Sequence, residues 1–257
     1  MAFDRIKPWK SIGFNQSAEI PRALVGWHLT PREITRHPSV SGVCYSLCMD
    51  WMKRKLSQKE KGAQRVGNLD VDRAIQRQGM YKEIWKASDG KSYEAGERSL
   101  GIRMVECKAL NAPLWSGAAW YIDRIAVHYS GGAGKAFLME YAFHRYDANA
   151  WKPGGGAHAV AWYVSHGTWG IGGLMGGRHI YLFDPNCGEY RMQEGELNTF
   201  LGSYLEDVKD AFAPHLFPMT FSLRTFEGGT SSSQKVEKSA VNALQRQLQD
   251  KLKKGGA

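Results

Sequence analysis

Residues 42–56 read GVCYSLCMDWMKRKL, and the organisation of the chain can be followed outward from this stretch. From Cys44 onward, apolar side chains recur at steps of three and four residues, which is the spacing of one face of an α-helix. These apolar positions are Leu47, Cys48, Trp51, Met52 and Leu56. The pattern predicts a helix that begins at Cys44, with Ser41 and Gly42 before it as candidate caps.

Cys44 stands at the predicted start of this helix, which is a favourable place for a nucleophile. The thiolate is the reactive form of cysteine, and the partial positive charge of a helix N-terminus stabilises it. Cys48 lies one turn further inside and lacks that advantage. Position alone leaves a second interpretation open, in which Cys44 is a small buried apolar residue.

Two later stretches are predicted to be β-strands. After the glycines at 154–156, large and small residues alternate over 157–164, where His158 begins the pattern. A second strand is predicted over 178–183, and the turn signal Asp184-Pro185-Asn186 ends it. If these strands are antiparallel neighbours, the side chains of His158 and Asp184 come within hydrogen-bonding reach.

A nucleophilic cysteine requires a base, and the base requires a third group that fixes its orientation. His158 and Asp184 are the candidates for these two roles, because the predicted strands bring them together. Each also has a simpler interpretation. His158 fits an ordinary strand histidine, and Asp184 fits a turn residue before Pro185.

The remaining periodic segments complete the predicted order of elements. Helices are predicted over residues 69–85, 135–145 and 197–208, and further strands over 189–192 and 219–226. This order, with helices first and an antiparallel sheet afterwards, indicates the α+β class.

Composition divides the chain into three parts. Residues 1–40 are rich in turn-forming residues and are interpreted as an extended arm or prodomain-like segment. Residues 41–227 form the predicted main domain. Residues 228–257 are predicted to be a Gly- and Ser-rich linker followed by a basic amphipathic tail helix.

The net charge of +9 is concentrated in two short runs. Residues 53–65 carry a surplus of five positive charges and residues 235–254 a surplus of four, so the rest of the chain is neutral. Such runs can attract an acidic protein partner or an anionic membrane, and we expect no nucleic-acid partner. The alternative is that both runs are solvated helix faces.

The cysteines and the apolar runs restrict the class of protein further. Four cysteines are too few for a disulfide scaffold, and their spacing matches no zinc site, so we expect a reducing compartment and no bound metal. No apolar run reaches the roughly 18–20 residues of a membrane span. The first ten residues lack the apolar stretch of a signal peptide.

Three blocks of sequence carry a family resemblance. They are Gly42-Val43-Cys44 with Leu47 and Trp51, then Gly155-Gly156-Ala157-His158-Ala159-Val160-Ala161, then Phe183-Asp184-Pro185-Asn186 with Gly188-Glu189-Tyr190. In this order they resemble the signature blocks of the YopT/AvrPphB-type cysteine proteases, which are bacterial effectors with a papain-like fold. The resemblance spans about residues 41–226.

The resemblance implies a papain-like α+β fold, with the helical part packed on an antiparallel sheet, and roles for three residues. Cys44 would be the nucleophile, His158 the general base and then acid, and Asp184 the group that orients His158. Neither a metal nor an organic cofactor is implied. The backbone N–H of Cys44 should provide one oxyanion-hole donor. Relatives place an Asn shortly before the cysteine, and here Ser39 is the positional candidate, since a hydroxyl can donate.

Four further residues are candidates for the substrate cleft. Gly156 and Trp162 flank His158 in the predicted strand, and Leu174 and Met175 lie in the glycine-rich segment 172–177. This segment is interpreted either as a mobile hairpin tip bordering the cleft or as a plain connector.

The function expected from the resemblance is that of an endopeptidase which a bacterium secretes without a classical signal peptide. It would act as a monomer on host proteins in the host cytoplasm, where the basic runs would help it dock at an anionic membrane or an acidic partner. Two alternatives stay open. One is a catalytically weak or silent papain-like scaffold, and the other is an acyltransferase or deamidase that uses the same Cys-His-Asp set.

Overall fold

The computed structural model describes residues 3–58, 60–87, 100–111, 133–147, 150–169, 175–212 and 216–228. The helices are α1 (Gln16–Gly26), α2 (Pro31–Arg36), α3 (Cys44–Lys53), α4 (Gly62–Gly67), α5 (Val71–Ala87) and α6 (Leu197–Phe212). The strands are β1 (Lys10–Gly13), β2 (Ile102–Asn111), β3 (Ala136–Asp147), β4 (Ala150–Val164), β5 (Thr168–Trp169), β6 (Met175–Gly176), β7 (His179–Asp184), β8 (Gly188–Gln193) and β9 (Leu216–Gly228).

Seven strands form one antiparallel sheet in the order β1-β8-β7-β4-β3-β9-β2, and β5 pairs with β6 separately. The helix predicted to begin at Cys44 is α3, and the strands predicted around His158 and before Asp184 are β4 and β7. These two strands are antiparallel neighbours, as the sequence pattern predicts. The α+β class is confirmed.

Apolar layers cover both faces of the sheet. On one face, α6 packs onto large side chains of β3 such as Phe137 and Met139. On the other face, α3 packs against the small residues Ala159 and Ala161 of β4. Residues 45–52 of α3 are all buried, so α3 is a central helix and does not lie on the surface. The helix that begins with Cys44 is therefore held on every side.

The helix predicted over residues 135–145 is wrong, because this segment is strand β3. The strand lies between β4 and β9 in the middle of the sheet. Phe137 and Met139 belong to the core beneath α6, whereas Ala136 and Leu138 belong to the core around α3. A central strand that is apolar on both faces shows no alternation of polar and apolar residues, so the strand signal is absent from the sequence.

The prediction of an extended arm at residues 1–40 is also wrong, since residues 3–41 are part of the main fold. Strand β1 pairs with β8 at one edge of the sheet. Ile6 is fully buried in the core beneath α6, and the Arg5 guanidinium donates to the Asp207 carboxylate at 2.8 Å. Arg5 and Asp207 are 202 residues apart, so a local sequence pattern could not reveal their pairing.

Several cations of the basic run at 53–65 make internal contacts. The Arg65 side chain is 1% exposed and forms a 2.7 Å ion pair with Glu189. The Lys55 ammonium lies over the Tyr181 ring, 3.6 Å from its centre. Arg54 bonds both Asp50 and Glu60. These three cations make contacts within the fold. The run as a whole is therefore neither a docking surface nor a solvated helix face.

The described part of the chain has no helix with the length and apolar content needed to cross a bilayer. Strand β2 is not among the elements that the sequence pattern predicts. The predicted linker and tail helix lie outside the described residues from position 229 onward, and so does Leu174.

Candidate active site

Cys44 is the first residue of α3, and Val43 precedes it as the N-cap. Gly42 takes a φ of +110°, a conformation that L-residues rarely adopt, which explains a glycine at this bend. The Cys44 side chain is half-buried. By contrast, the Cys48 thiol is fully buried and donates to the Ala159 carbonyl oxygen at 3.3 Å. Of these two thiols, Cys44 is the one that a substrate could reach.

His158 lies on β4 where the pairing with β7 has ended. Ala161 pairs with Phe183, so His158 lies opposite the turn that follows β7. Its Nε2 atom is 2.9 Å from Asp184 Oδ1, and Cys44 is close enough to His158 to help raise the pKa of the imidazole. Because Nε2 faces Asp184, Nδ1 is the ring nitrogen left for the thiol. The structure thus places Cys44, His158 and Asp184 near one another, with the imidazole bonded to the carboxylate.

Asp184 is fully buried, yet both of its carboxylate oxygens are hydrogen-bonded. Besides His158, the backbone N–H of Asn186 reaches Oδ1 at 2.8 Å and the Tyr204 hydroxyl donates to Oδ2 at 2.8 Å. Burial by itself would raise the pKa of Asp184, but the His158 charge and these donors lower it. Asp184 is therefore held as a carboxylate.

The environment of His158 favours its protonated form. Burial alone would lower its pKa, but the charge and hydrogen bond of Asp184, together with the hydrogen bond to Cys44, raise the pKa to about 10. An imidazolium beside a thiol stabilises the thiolate, which is the attacking form of cysteine. The arrangement can therefore support nucleophilic chemistry at neutral pH.

Two tyrosines support this arrangement and carry no recognisable sequence signal. The Tyr141 hydroxyl lies 3.1 Å from that of Tyr204, whose own proton goes to Asp184, so Tyr141 is the donor to Tyr204. The Tyr141 ring also lies edge-on to His158, with 5.4 Å between ring centres. In the sequence, Tyr204 is one apolar position of an amphipathic helix, and Tyr141 falls in the segment predicted as a helix.

Gln16 and Asn186 form a second layer of polar contacts, which sequence reasoning missed. The Gln16 carboxamide oxygen accepts from the backbone N–H of Val43 at 3.0 Å, and its nitrogen donates to Asn186 Oδ1 at 2.7 Å. The Asn186 side-chain nitrogen in turn lies 3.4 Å from His158 Nε2. A carboxamide from the N-terminal segment therefore connects the start of α3 with the turn that carries Asp184.

Ser39 is not positioned as the expected oxyanion-hole donor. Its hydroxyl lies 2.7 Å from His37 Nδ1, which also accepts the backbone N–H of Ser39 at 3.3 Å. A nitrogen that accepts one hydrogen bond in this way carries no hydrogen of its own, so the hydroxyl must donate to it. The hydroxyl therefore donates its single proton to His37. The prediction that Ser39 is an oxyanion-hole donor is corrected accordingly.

The four residues predicted to line the substrate cleft lie in different environments or outside the described residues. Gly156 is exposed and has a φ of +98°. Trp162 is fully buried and packs edge-on against Phe200 in the core, so its assignment to the cleft is wrong. Met175 begins strand β6 and pairs with Trp169. The role proposed for Leu174 falls on a residue that the structure does not describe.

Comparison with known proteins identifies the fold. No family model and no curated protein matches the sequence. The structure is similar to the crystal structure of the Pseudomonas avirulence protein AvrPphB, with a TM-score of 0.58 and 14% sequence identity over 86% of this chain and 99% of the other. The fold is papain-like. At this level of identity the similarity shows a shared scaffold, on which the contacts of Cys44, His158 and Asp184 are this chain's own.

The papain-like scaffold accounts for where the site lies. The central helix α3 presents Cys44 at its N-terminus, while the sheet presents His158 and Asp184 from β4 and the end of β7. The residues that the structure describes contain no group of three or more His, Cys, Asp or Glu side chains suited to a metal ion.

Proposed function

We propose that this protein is a cysteine endopeptidase of the bacterial effector type. The observation that carries the proposal is the 2.9 Å contact between Asp184 and His158 close to the thiol of Cys44, which lies at the N-terminus of a buried helix in a papain-like fold. A histidine held between a carboxylate and a half-buried thiol is the arrangement that activates a cysteine nucleophile.

The reaction would proceed in two halves. The Cys44 thiolate attacks the carbonyl carbon of a peptide bond, and the C–N bond breaks as the His158 imidazolium gives its proton to the departing amine. The acyl group remains on sulfur as a thioester. His158, now neutral, takes a proton from water, the resulting hydroxide displaces sulfur from the acyl carbon, and the thiolate–imidazolium pair is restored.

The site does not stabilise the two charges of this reaction equally. Asp184 stabilises the imidazolium that is present before attack, since it is buried and hydrogen-bonded as a carboxylate. The oxyanion would rely on the backbone N–H of Cys44 and the positive end of α3, because the Ser39 hydroxyl is committed to His37. In this proposal the site stabilises the imidazolium more strongly than it stabilises the oxyanion.

The effector role is supported by two further observations. The three sequence blocks resemble those of YopT/AvrPphB-type proteases, and the scaffold is similar to that of an avirulence protein from Pseudomonas. We therefore propose that a bacterium secretes the protein and that it cleaves host proteins as a monomer in the host cytoplasm. The basic tail, with a surplus of four charges over residues 235–254, would favour docking at anionic membranes or acidic partners.

The direct test compares new protein N-termini in host-cell lysate treated with wild-type protein and with Cys44→Ala. We expect cleavage products with the wild type and none with Cys44→Ala, because loss of the thiol removes the attacking atom. Cys107→Ala is the matched control, since Cys107 is exposed and lies on β2, whereas His158 lies on β4. Cleavage that persists in Cys44→Ala would contradict the proposal.

The committed Ser39 hydroxyl favours a second candidate, which is a papain-like scaffold of weak or no activity that binds a partner. It predicts no cleavage products and a partner affinity that is unchanged in Cys44→Ala. An acyltransferase or deamidase would instead attack a side-chain carboxamide, release ammonia as the thioester forms, and pass the acyl group to an amine or to water, so that no chain is cut. Mass analysis of modified side chains in the same lysate distinguishes that outcome.

A further inference from the structure

A group of cations lies on the α3 side of the sheet, at the opposite end of α3 from Cys44. The π-helical turn Arg54–Gln58 follows α3 directly and carries Lys55. Turns of this kind are rare in proteins and are often found at functional sites. From Cys44 to Lys55 the chain advances about 16 Å, at about 1.5 Å per helical residue. The cation group is therefore separate from the candidate active site.

The sheet below this turn presents two tyrosines and an arginine in one row. Tyr163 of β4 pairs with Tyr181 of β7, which pairs in turn with Arg191 of β8. Paired residues of antiparallel strands point to the same face of a sheet. Phe183, two residues along β7 from Tyr181, stacks on Trp51 of α3. Because alternate residues of a strand share a face, the whole row lies on the α3 side.

The Lys55 ammonium lies over this row without a counter-ion. It is 3.6 Å from the centre of the Tyr181 ring and 4.7 Å from that of Tyr163. Ring faces attract a cation but carry no net charge. Within the ranges that the structure describes, the ammonium makes no hydrogen bond and no ion pair. Burial, together with the charges of Arg65 and Arg191, lowers the pKa of Lys55 to about 8.

Arg191 is a second cation without a carboxylate partner among the described residues, and it is exposed. Its Nη2 atom lies 3.0 Å from His179 Nε2. A guanidinium can only donate, so His179 accepts this hydrogen bond. Burial and the Arg191 charge lower the pKa of His179, which keeps the imidazole neutral. His179 thus orients Arg191 and leaves its charge and its other donors available to a ligand.

The charges at this point do not balance. Three cations, Lys55, Arg65 and Arg191, lie near one carboxylate, that of Glu189. Arg65 and Glu189 bond each other at 2.7 Å, so two positive charges remain. A phosphate monoester carries about −1.5 to −2 charges at neutral pH, and its oxygens accept hydrogen bonds from ammonium and guanidinium groups alike. A carboxylate would neutralise only one of the two cations.

We propose that Lys55 and Arg191 form a binding site for a phosphomonoester, whose oxygens accept from the ammonium and from the guanidinium. The rings of Tyr163 and Tyr181 lie beneath the Lys55 ammonium and hold it at the site. A soluble phosphate ester and the headgroup of a phosphoinositide share this chemistry. The site does not depend on the reactivity of Cys44, so it can be absent while the proposed function holds, and the reverse.

The experiment measures binding of phenyl phosphate to the full chain by isothermal titration calorimetry at constant ionic strength. We expect saturable binding with a Kd of about 1 mM or below, and acetate should bind at least about tenfold more weakly. Lys55→Met and Arg191→Gln should each weaken phenyl phosphate binding at least about tenfold, because each removes a charged donor. No saturable binding to the wild type, or equal binding of acetate, would overturn the proposal.

The matched controls are Lys53→Met and Arg178→Gln, which remove the same charges from nearby positions. Lys53 lies two positions before Lys55, and Arg178 forms a 2.8 Å ion pair with Glu194. Because salt screens charges that do not contact the ligand, both controls should keep the wild-type affinity within about twofold. A loss in the controls equal to that in Lys55→Met would mean that binding follows net charge alone, and the assigned site would be wrong.

Thermal unfolding separates ligand binding from a structural role of Lys55. Phenyl phosphate should raise the Tm of the wild type by mass action, and Lys55→Met should lose this rise. The same rise in Lys55→Met would contradict the proposal. If Lys55→Met does not fold, acetylation of the wild type by an N-hydroxysuccinimide ester, resolved by peptide mass spectrometry, replaces it. Phenyl phosphate should then protect Lys55 and not Lys53, and equal protection of the two would also contradict the proposal.

A vesicle assay identifies the source of the phosphate group. The vesicles contain phosphatidylcholine with a small fraction of a monophosphorylated phosphatidylinositol. Vesicle binding that is lost in Lys55→Met and retained in Lys53→Met supports the site with a lipid headgroup as its ligand. Binding of phenyl phosphate without vesicle binding supports the site with a soluble ester as its ligand. Absence of both overturns it.

Discussion

The Asp184 carboxylate is buried without exposure to water, and the residues around it compensate for that burial. A buried carboxylate that had no partner at all would cost several kcal/mol. His158, the Asn186 backbone and the Tyr204 hydroxyl supply donors to both oxygens. The orientation of His158 therefore depends on a tyrosine from a helix on the opposite face of the sheet from α3.

Tyr204→Phe tests this dependence. The pKa of Asp184 is lowered in the folded chain, so its contribution to stability is present above the ordinary aspartate pKa and is lost as the pH falls through the folded value. Removing the donor to Oδ2 should reduce the free energy of unfolding at neutral pH by about 1–3 kcal/mol. It should also move the acid unfolding midpoint to higher pH, which urea titrations at several pH values can measure.

Tyr141→Phe is the control for this prediction. Tyr141 donates to the Tyr204 hydroxyl and not to the carboxylate, so its loss should move the acid midpoint less. An acid midpoint in Tyr204→Phe identical to that of the wild type would contradict the role given to Tyr204.

At the scale of elements, the pairing of β1 with β8 links the N-terminal segment to the turn that carries Asp184. Gly188 begins β8 with a φ of +114° and pairs with Gly13. A Cβ atom at Gly188 would collide with the Ile12 carbonyl oxygen and would lie 2.8 Å from the Phe14 nitrogen. The close approach of the two backbones therefore requires glycine at this position.

Gly188→Ala should destabilise the fold strongly. Backbone strain at this φ costs about 1–3 kcal/mol, and the collision with β1 adds to that cost. The control is Gly79→Ala inside α5, where a Cβ would meet nothing within 4 Å. That substitution should raise the free energy of unfolding by about 0.5–1 kcal/mol, because alanine favours a helix more than glycine does. Denaturant unfolding of the two variants should therefore give opposite signs, and a neutral Gly188→Ala would refute the close approach.

A buried ion pair connects three further elements. Arg65 of α4 pairs with Glu189 of β8 at 2.7 Å, and the Trp51 indole N–H of α3 donates to the same carboxylate at 2.8 Å. Removing one partner of such a pair leaves an uncompensated charge, at a cost of about 3–5 kcal/mol. The pair therefore fixes α3 against β8, and Arg65 is a structural residue.

At the scale of the whole molecule, the candidate site is assembled from parts that are distant in sequence. The N-terminal segment supplies Gln16, α3 supplies Cys44, β4 supplies His158, and the end of β7 supplies Asp184. Tyr204 comes from α6 on the far side of the sheet. The segment before residue 41 is thus part of the body that holds the site.

Two truncations should therefore have different effects. Deleting residues 1–13 removes β1 and the buried Ile6, so we expect loss of cooperative unfolding, measured by circular dichroism and denaturant titration. Deleting residues 229–257 removes the second basic run, so we expect cleavage to be retained and binding to anionic vesicles to weaken, most clearly at low salt. A fully stable chain without residues 1–13, or loss of cleavage without the tail, would contradict this division.

The sequence by itself determined the elements that carry the candidate site residues. A periodicity of three and four residues placed Cys44 at the start of α3. A periodicity of two marked the strand of His158, and a turn signal at Asp184 marked the end of a second strand. These signals are local, since each depends on residues within one helix or one strand. The α+β class followed from the order of those elements.

Only the tertiary structure decided how those residues are held. Strand β3, the packed N-terminal segment, the buried Arg65 and the commitment of Ser39 to His37 all differ from the sequence predictions. Gln16 and Asn186 are 170 residues apart, and Arg65 and Glu189 are 124 residues apart. Hydrogen bonds and burial depend on neighbours in space, and the periodicity of a single segment carries no record of the partners that folding brings to it.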